Sequence, residues 1–412
     1  MPETSSGPAL SHRLIGQTRS GVRAQSLRAA NLSLVLRHIL DSPGAATRAK
    51  VAHRAHITRA TASRLVDELI DVALVTELDP LSPGRGRPAV PLVPTAERFL
   101  SLGLEVNIGY LRTCVVDLAG TVLVEDIVTD DFSNSDPTRT MSALGELARS
   151  ALTRATSTSD VRPRFLGAGL ALPGLVSSEA LALAPNLGWR DIPLSTLLSP
   201  VLDLDVSIVA NEADLAAFAV DNPRPGVPSG PGSFIYVSGE VGIGAGILVD
   251  HRQLRGAHGW SGEIGHICVD PAGPLCSCGA HGCLEAYLGR RSLVREAGLE
   301  PRNTLADVLT EAQSGSRAAQ QALEVSGTAL GRALSAVINT VDIPLVILGG
   351  NVADIAPALV EPARRELETR VLQSAWSHPE IRIVEHSEHL AALGAAHRVL
   401  QGLVDDPLAW TA

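Results

Sequence analysis

The thirty residues "FLSLGLEVNIGYLRTCVVDLAGTVLVEDIV" at 99–128 constrain the fold more than any other stretch of this chain. Their short runs of Val, Ile and Leu, cut by turn formers, read as three consecutive strands, with "DLAG" at 117–120 turning the second into the third. A helical stretch follows near 139–156, then a strand "RFLGAGLAL" that stops at "PG", then a helix around 212–220. Strands "SFIYVSG" and "GAGILV" come next, and "LVILGG" follows a long helical pattern at about 317–340. This βββαβα order predicts an α/β fold with two lobes, and ligands in such folds collect at the Gly-rich strand ends.

Charge separates that body from what precedes it. Residues 1–95 hold 12 Lys+Arg and 7 Asp+Glu, a net of +5, which leaves −15 on the remainder of a chain whose total is −10. A basic head suits a polyanion such as DNA, and an acidic body repels one. Lys50 is the single lysine, so total arginine reflects composition and only its placement carries information. The 412 residues, 45% hydrophobic, provide for two or three domains. No apolar run reaches membrane-spanning length, and the first thirty residues carry Arg13, Arg19, Arg23 and Arg28 without an apolar secretory core. The expected location is the cytoplasm, with no membrane partner.

Within the head, Leu32, Leu34, Val35, Leu36, Ile39 and Leu40 fit an amphipathic helix ended by "DSPG" at 41–44. Thr47 is placed to cap a short helix around Val51 and Ala52, and Thr58 to cap a second across Arg59–Asp71. Joined by "AHI", these form a helix-turn-helix whose second member turns Leu65, Val66, Leu69 and Ile70 inward. Thr58, Arg59, Thr61, Ala62, Ser63 and Arg64 then stand at the N-terminal end that enters a major groove. The segment "ALVTELDPLSPGRGRPAVPLVP" reads as two strands of a wing, with Arg85 and Arg87 at its tip suited to a minor groove. The expected partner is double-stranded operator DNA, met as two half-sites by a homodimer or tetramer.

Three of the five cysteines crowd into "LCSCGAHGCLEAYLG" at 275–289. With His266 upstream, Cys276, Cys278 and Cys283 have the spacing H-x9-C-x-C-x4-C, sufficient for a closed, structural Cys3His zinc site. Gly279 and Gly282 let the loop turn tightly enough for three thiolates to face one ion. Cys268 and His281 lie close enough in sequence to compete, and buried thiols with no metal are the remaining alternative.

The stretches "GEIGHICVD", "CSCGAHGCLEA", "ALPGLV", "APNLGW", "ANEADLAA", "VGIGAGI" and "VILGGNV" carry a resemblance to the ROK family of repressors and sugar kinases. It extends from about residue 25 to the C-terminus, and the whole chain resembles the family's sugar-responsive repressors. The resemblance implies a two-lobed actin-like body of 96–412 behind a winged helix-turn-helix domain of 25–95 and a flexible tail of 1–24. The first lobe is expected at about 96–220 plus a C-terminal helix at about 388–412, and the second at about 221–387. It also implies one bound zinc, self-association, and a sugar held by Asn211, Glu212, Glu263, His266 and Glu285, with the second ring nitrogen of His266 on the sugar. Gly174 and Asn186 join that lining, and Trp189 either joins it or belongs to the core.

Three departures from the family's kinases argue for a sensor without catalysis. Where they carry an Asp-x-Gly-Gly-Thr phosphate turn, this chain has Glu105, Val106, Asn107, Ile108 and Gly109. Their catalytic Asp after an Asn is here Glu212, whose extra methylene displaces the base. "SGEVGIGAG" keeps its glycines but has Glu240 and Val241, and carboxylate there repels a triphosphate. The expected function is a repressor released from its operator by the sugar. An ATP-dependent sugar kinase with a fused DNA-binding domain is the alternative, and ligand-strengthened DNA binding is a variant of the first.

Overall fold

The computed structural model describes residues 19–80, 89–157, 162–239, 242–384, 387 and 389–410. The wing tip with Arg85 and Arg87 lies outside the described residues, as do Glu240 and Val241.

The head consists of α1 (Arg19–Asp41), α2 (Arg48–Arg54), α3 (Arg59–Asp71) and an antiparallel pair, β1 (Val75–Glu77) and β2 (Leu92–Pro94). The caps fall where the sequence places them: Thr47 Oγ1 accepts the Lys50 N–H at 3.3 Å, and Thr58 Oγ1 accepts the Thr61 N–H at 3.1 Å. Three expectations need correction. Helix α1 begins at Arg19, inside the segment assigned to a flexible tail. Leu34 stands 36% exposed, because two residues along a helix from Leu32 is about 200° around it and so on the opposite face. Ala62 is fully buried, one turn before Leu65 and Val66 on the core side of α3, so it is not part of the exposed end.

The first lobe is built on a five-stranded sheet in the order β10-β6-β3-β4-β5, from β3 (Phe99–Val106), β4 (Tyr110–Asp117), β5 (Val122–Thr129), β6 (Arg164–Leu172) and β10 (Val206–Asn211). The first three form the expected meander, while β6 and β10 join in parallel. Helix α4 (Pro137–Ser157) covers one face. A small sheet of β7 (Leu175–Val176), β8 (Ala180–Ala184) and β9 (Trp189–Pro193), which the sequence reading did not anticipate, precedes the short α5 (Leu194–Leu197). Helix α6 (Glu212–Asp221) leaves directly from β10.

The second lobe has its own sheet, β13-β12-β11-β14-β15. Its strands are β11 (Phe234–Ser238), β12 (Gly244–Val249), β13 (Arg252–Gln253), β14 (Leu345–Leu348) and β15 (Glu380–Ile383). Helices α7 (Glu285–Leu288), α8 (Arg290–Glu296), α9 (Leu305–Gln313), α10 (Arg317–Val341) and α11 (Gly350–Arg370) supply most of its apolar core. The chain then returns to the first lobe as α12 (Leu390–Asp405).

Helices α6 and α12 form the layer between the two sheets, and small residues let them approach closely. A Cβ on Gly103 of β3 would lie 1.9 Å from the Ala392 carbonyl oxygen, and one on Gly169 of β6 would lie 2.4 Å from that of Ala395. Helix α12 therefore rests on the strand backbones themselves. Its other end shares one apolar core with the head, where Leu36 and Ile39 of α1 meet Val399, Leu400 and Leu403. Arg37 of α1 donates to the Gly226 carbonyl and pairs with Asp405, and Arg224 donates to the Asp41 carbonyl at 3.2 Å. The seam near residue 95 thus divides two architectures and not two cores. Among the described residues, no helix is long and apolar enough to cross a membrane.

Candidate functional site

The first half of the site hangs on the end of β10. Asn211 caps α6, its Oδ1 accepting the Ala213 N–H at 2.8 Å while its Nδ2 donates to the Gly174 carbonyl at 3.0 Å. One side chain thereby fixes both the helix start and the turn after β6. Glu212 is the first helical residue, and Asn107 Nδ2 donates to it at 3.4 Å.

The second half comes from the loop before α7. Ligand atoms of His266, Cys276, Cys278 and Cys283 all lie within 4.8 Å of one another. Cys276 Sγ is 3.8 Å from His266 Nδ1, and Cys278 Sγ is 3.7 Å from Cys283 Sγ. A tetrahedron with metal–sulfur bonds of ~2.3 Å has edges of ~3.8 Å, so these residues fit a metal ion. Gly279 and Gly282 adopt φ of 92° and 70°, the left-handed turns that the spacing requires. The competitors fall away: His281 Nδ1 lies 3.0 Å from the Gly273 carbonyl, and Cys268 is not among the clustered ligands.

The imidazole presents Nδ1 to the thiols, and the ring also lines a pocket between the lobes. That pocket, ≈ 80 Å³, is walled by Gly174, Asn186, Asn211, Glu212, Glu263, His266 and Glu285, all seven of the residues expected around a sugar. Glu285 is locked by two donors, the Ser277 hydroxyl at 2.9 Å on Oε1 and the Ile243 N–H at 3.2 Å on Oε2. Burial holds the Glu263 carboxyl above its ordinary range, with nearby His266 lowering it and Glu285 raising it. Carboxylates set by backbone and side-chain donors, with an amide cap between them, can accept several ligand hydroxyls in fixed directions.

A second space of ≈ 520 Å³ adjoins this pocket and shares Gly174, Pro185, Glu263, His266 and Ser277 with it. Trp189 settles both of its readings here. It is 2% exposed, its Nε1 donates to the Ser135 carbonyl at 2.9 Å, and one edge still borders the larger space. Sequence reasoning missed Ser277, which the "CSC" spacing places between two thiolates and against Glu285.

On the opposite side of Glu212 lies a smaller space. Glu105, Asn107, Tyr110, Tyr236, Ser238 and Gly350 enclose ≈ 30 Å³. The Tyr110 hydroxyl donates to Glu105 Oε1 at 2.8 Å. Burial pushes the Glu105 carboxyl up to about 7, against the pull of Tyr110, Arg112 and the Ala392 backbone and with some help from Glu125. The folded chain therefore holds this proton to higher pH than the unfolded chain, so stability falls as pH rises from 4.5 toward 7. Glu105→Gln should flatten that fall by about 3 kcal/mol, read as the difference between the two proteins' urea midpoints across this pH window.

In the head, Thr58, Arg59 and Arg64 are exposed and Thr61 and Ser63 half-buried, so the expected DNA-facing set other than the wing arginines lies on one end of α3. Arg28 pairs with Glu68, Arg48 with Asp67 and Glu77, and Arg54 with Asp41. Arg59 and Arg64 make no ion pair among the described residues.

The profile of the ROK family matches residues 101–401, so it covers the two-lobed body and leaves the head outside. A xylose repressor of Bacillus spizizenii is 27% identical over 382 residues, spanning 92% of this chain and 97% of its own length. An N-acetylmannosamine kinase of Escherichia coli is 30% identical over 300 residues, which is 71% of this chain and 99% of the kinase. Among solved structures, a ROK family transcriptional regulator, described as a homolog of the E. coli MLC protein, superposes with a TM-score of 0.71. That likeness, at 23% identity, covers 94% of this chain and 99% of the other, and it concerns the fold. With a two-lobed body matched almost end to end and a cleft built from the expected strand ends, the chain belongs to the ROK family.

Proposed function

We propose that this protein is a transcriptional repressor that binds operator DNA through α3 and the wing, and that a sugar in the interlobe pocket releases it. The observation that carries the reading is mechanical: α6, which starts with the sugar-facing Asn211 and Glu212, packs on α12, and α12 shares its core with α1 of the head. The relatives support it, since the xylose repressor aligns over 92% of the chain while the kinase accounts for 71%.

Asn211, Glu212, Glu263 and Glu285 would accept hydrogen bonds from the sugar's hydroxyls, and His266 would offer its Nε2. His266, Cys276, Cys278 and Cys283 would hold one structural zinc, which supplies a fixed loop and a fixed imidazole. Gripping the ligand from both lobes favours a closed cleft, and any tilt of α6 is passed through the tightly packed α12 to α1. Moving such an equilibrium from 1:99 to 99:1 takes about a 10⁴-fold preference of the ligand for one form, about 5.5 kcal/mol. A dimer or tetramer in the cytoplasm would present two heads to two half-sites.

The same reading makes the chain non-catalytic. Asn107, Ile108 and Gly109 stand where the kinases carry their phosphate turn, and Glu212 carries the extra methylene where the kinases have Asp. A mobility-shift titration tests the whole: one of xylose, glucose or N-acetylglucosamine, or a short oligosaccharide of these, should weaken operator binding at least tenfold, with no ADP formed from ATP. No change with any sugar would remove the sensor reading. Tighter binding would turn it into co-repression, and sugar-dependent ADP would establish the kinase.

A further inference from the structure

We propose that a cavity on the far side of Asn211, walled by Asp214, Gln253, Arg255, His258 and Trp260, is a second ligand site that takes a neutral saccharide. The cavity measures ≈ 570 Å³ and shares Asn211 with the interlobe pocket. Its size falls in the range of small-molecule sites. Asp214, 6% exposed, and Gln253 stand together in its wall, the Gln253 amide acting as a donor toward the Asp214 carboxyl. Glu179, Arg255 and His258 add further acceptors and donors to the lining, and a ligand bearing hydroxyls meets both kinds because each hydroxyl both donates and accepts.

Charge and shape narrow the ligand further. Asp214 and Glu179 line the space together with Arg255 and His258, so neither a cation nor an anion gains from it overall. Burial pushes the Asp214 carboxyl up to about 7, while Gln253 and Arg255 pull it down and Glu263 adds to the rise, so it is not a fixed anion at neutral pH. The His258 and Trp260 rings, with centroids 5.1 Å apart and planes at 36°, supply an apolar face at the mouth. Polar groups on one side and aromatic rings on the other match a pyranose, whose hydroxyls ring an apolar C–H face. Because Asp214 lies in the first turn of α6, just after Asn211 and Glu212, a ligand here braces the same helix that the interlobe pocket uses.

The experiment titrates the full chain with xylose, glucose, N-acetylglucosamine, maltose and cellobiose, following tryptophan fluorescence and calorimetric heat. Wild type is compared with a cleft variant, Glu212→Ala with Glu263→Ala, and with Trp260→Ala and Asp214→Asn. The expected result is that one saccharide still binds the cleft variant, and that Trp260→Ala or Asp214→Asn added to it weakens this binding tenfold or more. Trp260 is 38% exposed, so its removal should leave the melting temperature unchanged and separate lost binding from lost folding. Absence of any binding to the cleft variant overturns the proposal, as does binding that both second-site substitutions leave intact. Either result leaves the interlobe reading standing, because that reading fails on a different pattern: wild type and the cleft variant showing the same number of binding events with the same affinities, so that the cleft substitutions remove none.

Discussion

Replacing Cys276 by Ser should take bound zinc from about one equivalent per chain to nearly none and weaken sugar binding a hundredfold or more. The tip of the loop that carries the thiols has little apolar support of its own. Its buried cluster is Cys276, Cys283 and Ala286, while Leu275 stands 66% exposed. A metal bound by three thiolates and an imidazole contributes on the order of 10 kcal/mol to ordering such a segment at neutral pH. Without it the loop tip that carries Cys276 and Cys278 loses its tether, and with it the ring orientation of His266 and the contact of Ser277 with Glu285, while Ile267, Val269 and Leu284 stay on the second lobe's core. The lobes keep their separate cores, so the variant should remain folded while losing its ligand. Elemental analysis and sugar calorimetry on the same preparation measure both quantities. Full zinc occupancy in the variant, or unchanged sugar affinity without zinc, contradicts the assignment.

Removing both Arg59 and Arg64 should lower affinity for operator DNA at least a hundredfold, while Arg28→Ala should change it little. The contrast rests on pairing and not on charge count. Arg28 already spends its guanidinium on Glu68 at 3.0 Å, whereas Arg59 and Arg64 have no carboxylate partner among the described residues and stand exposed at one end of α3. Each arginine that reads a base edge is worth about 1–3 kcal/mol, and each that neutralises a phosphate steepens the salt dependence by about one. The double variant should therefore show a slope of log affinity against log salt reduced by about two if both contact phosphate, with an unchanged melting temperature. Anisotropy titrations with a duplex selected from a random pool supply these values. Equal losses for Arg28→Ala and for the double variant would show a diffuse basic surface in place of a recognition helix.

Elements with local causes were legible before the structure. Thr47 and Thr58 precede their helices because their hydroxyls satisfy main-chain donors that the first turn leaves open. Strands β3, β6 and β12 fall on their sequence runs because burial on both faces writes continuous apolar segments. The four metal ligands were legible because thiolate spacing and paired glycines are rare together by chance. Leu34 and Ala62 were misplaced because apolarity alone does not say which face of a helix meets a neighbour. The start of α1 at Arg19 was missed because no cap or apolar periodicity marks it in sequence.

By itself, then, the sequence marked the starts of α2 and α3, the main strand runs and the Cys3His set, since each depends on local chemistry or on a fixed spacing, while the seven residues of the pocket came from the resemblance to the ROK family. Tertiary structure alone decided which atoms meet. It turned Nδ1 of His266 toward the thiols, placed Ser277 on Glu285, and excluded Cys268 and His281 from the cluster. It joined α1 to α12 in one core across the apparent boundary near residue 95. The physical reason is the range of the interactions: caps and turns act over three or four residues, whereas packing brings Leu36 against Val399 and Asn107 against Glu212 across hundreds of chain atoms.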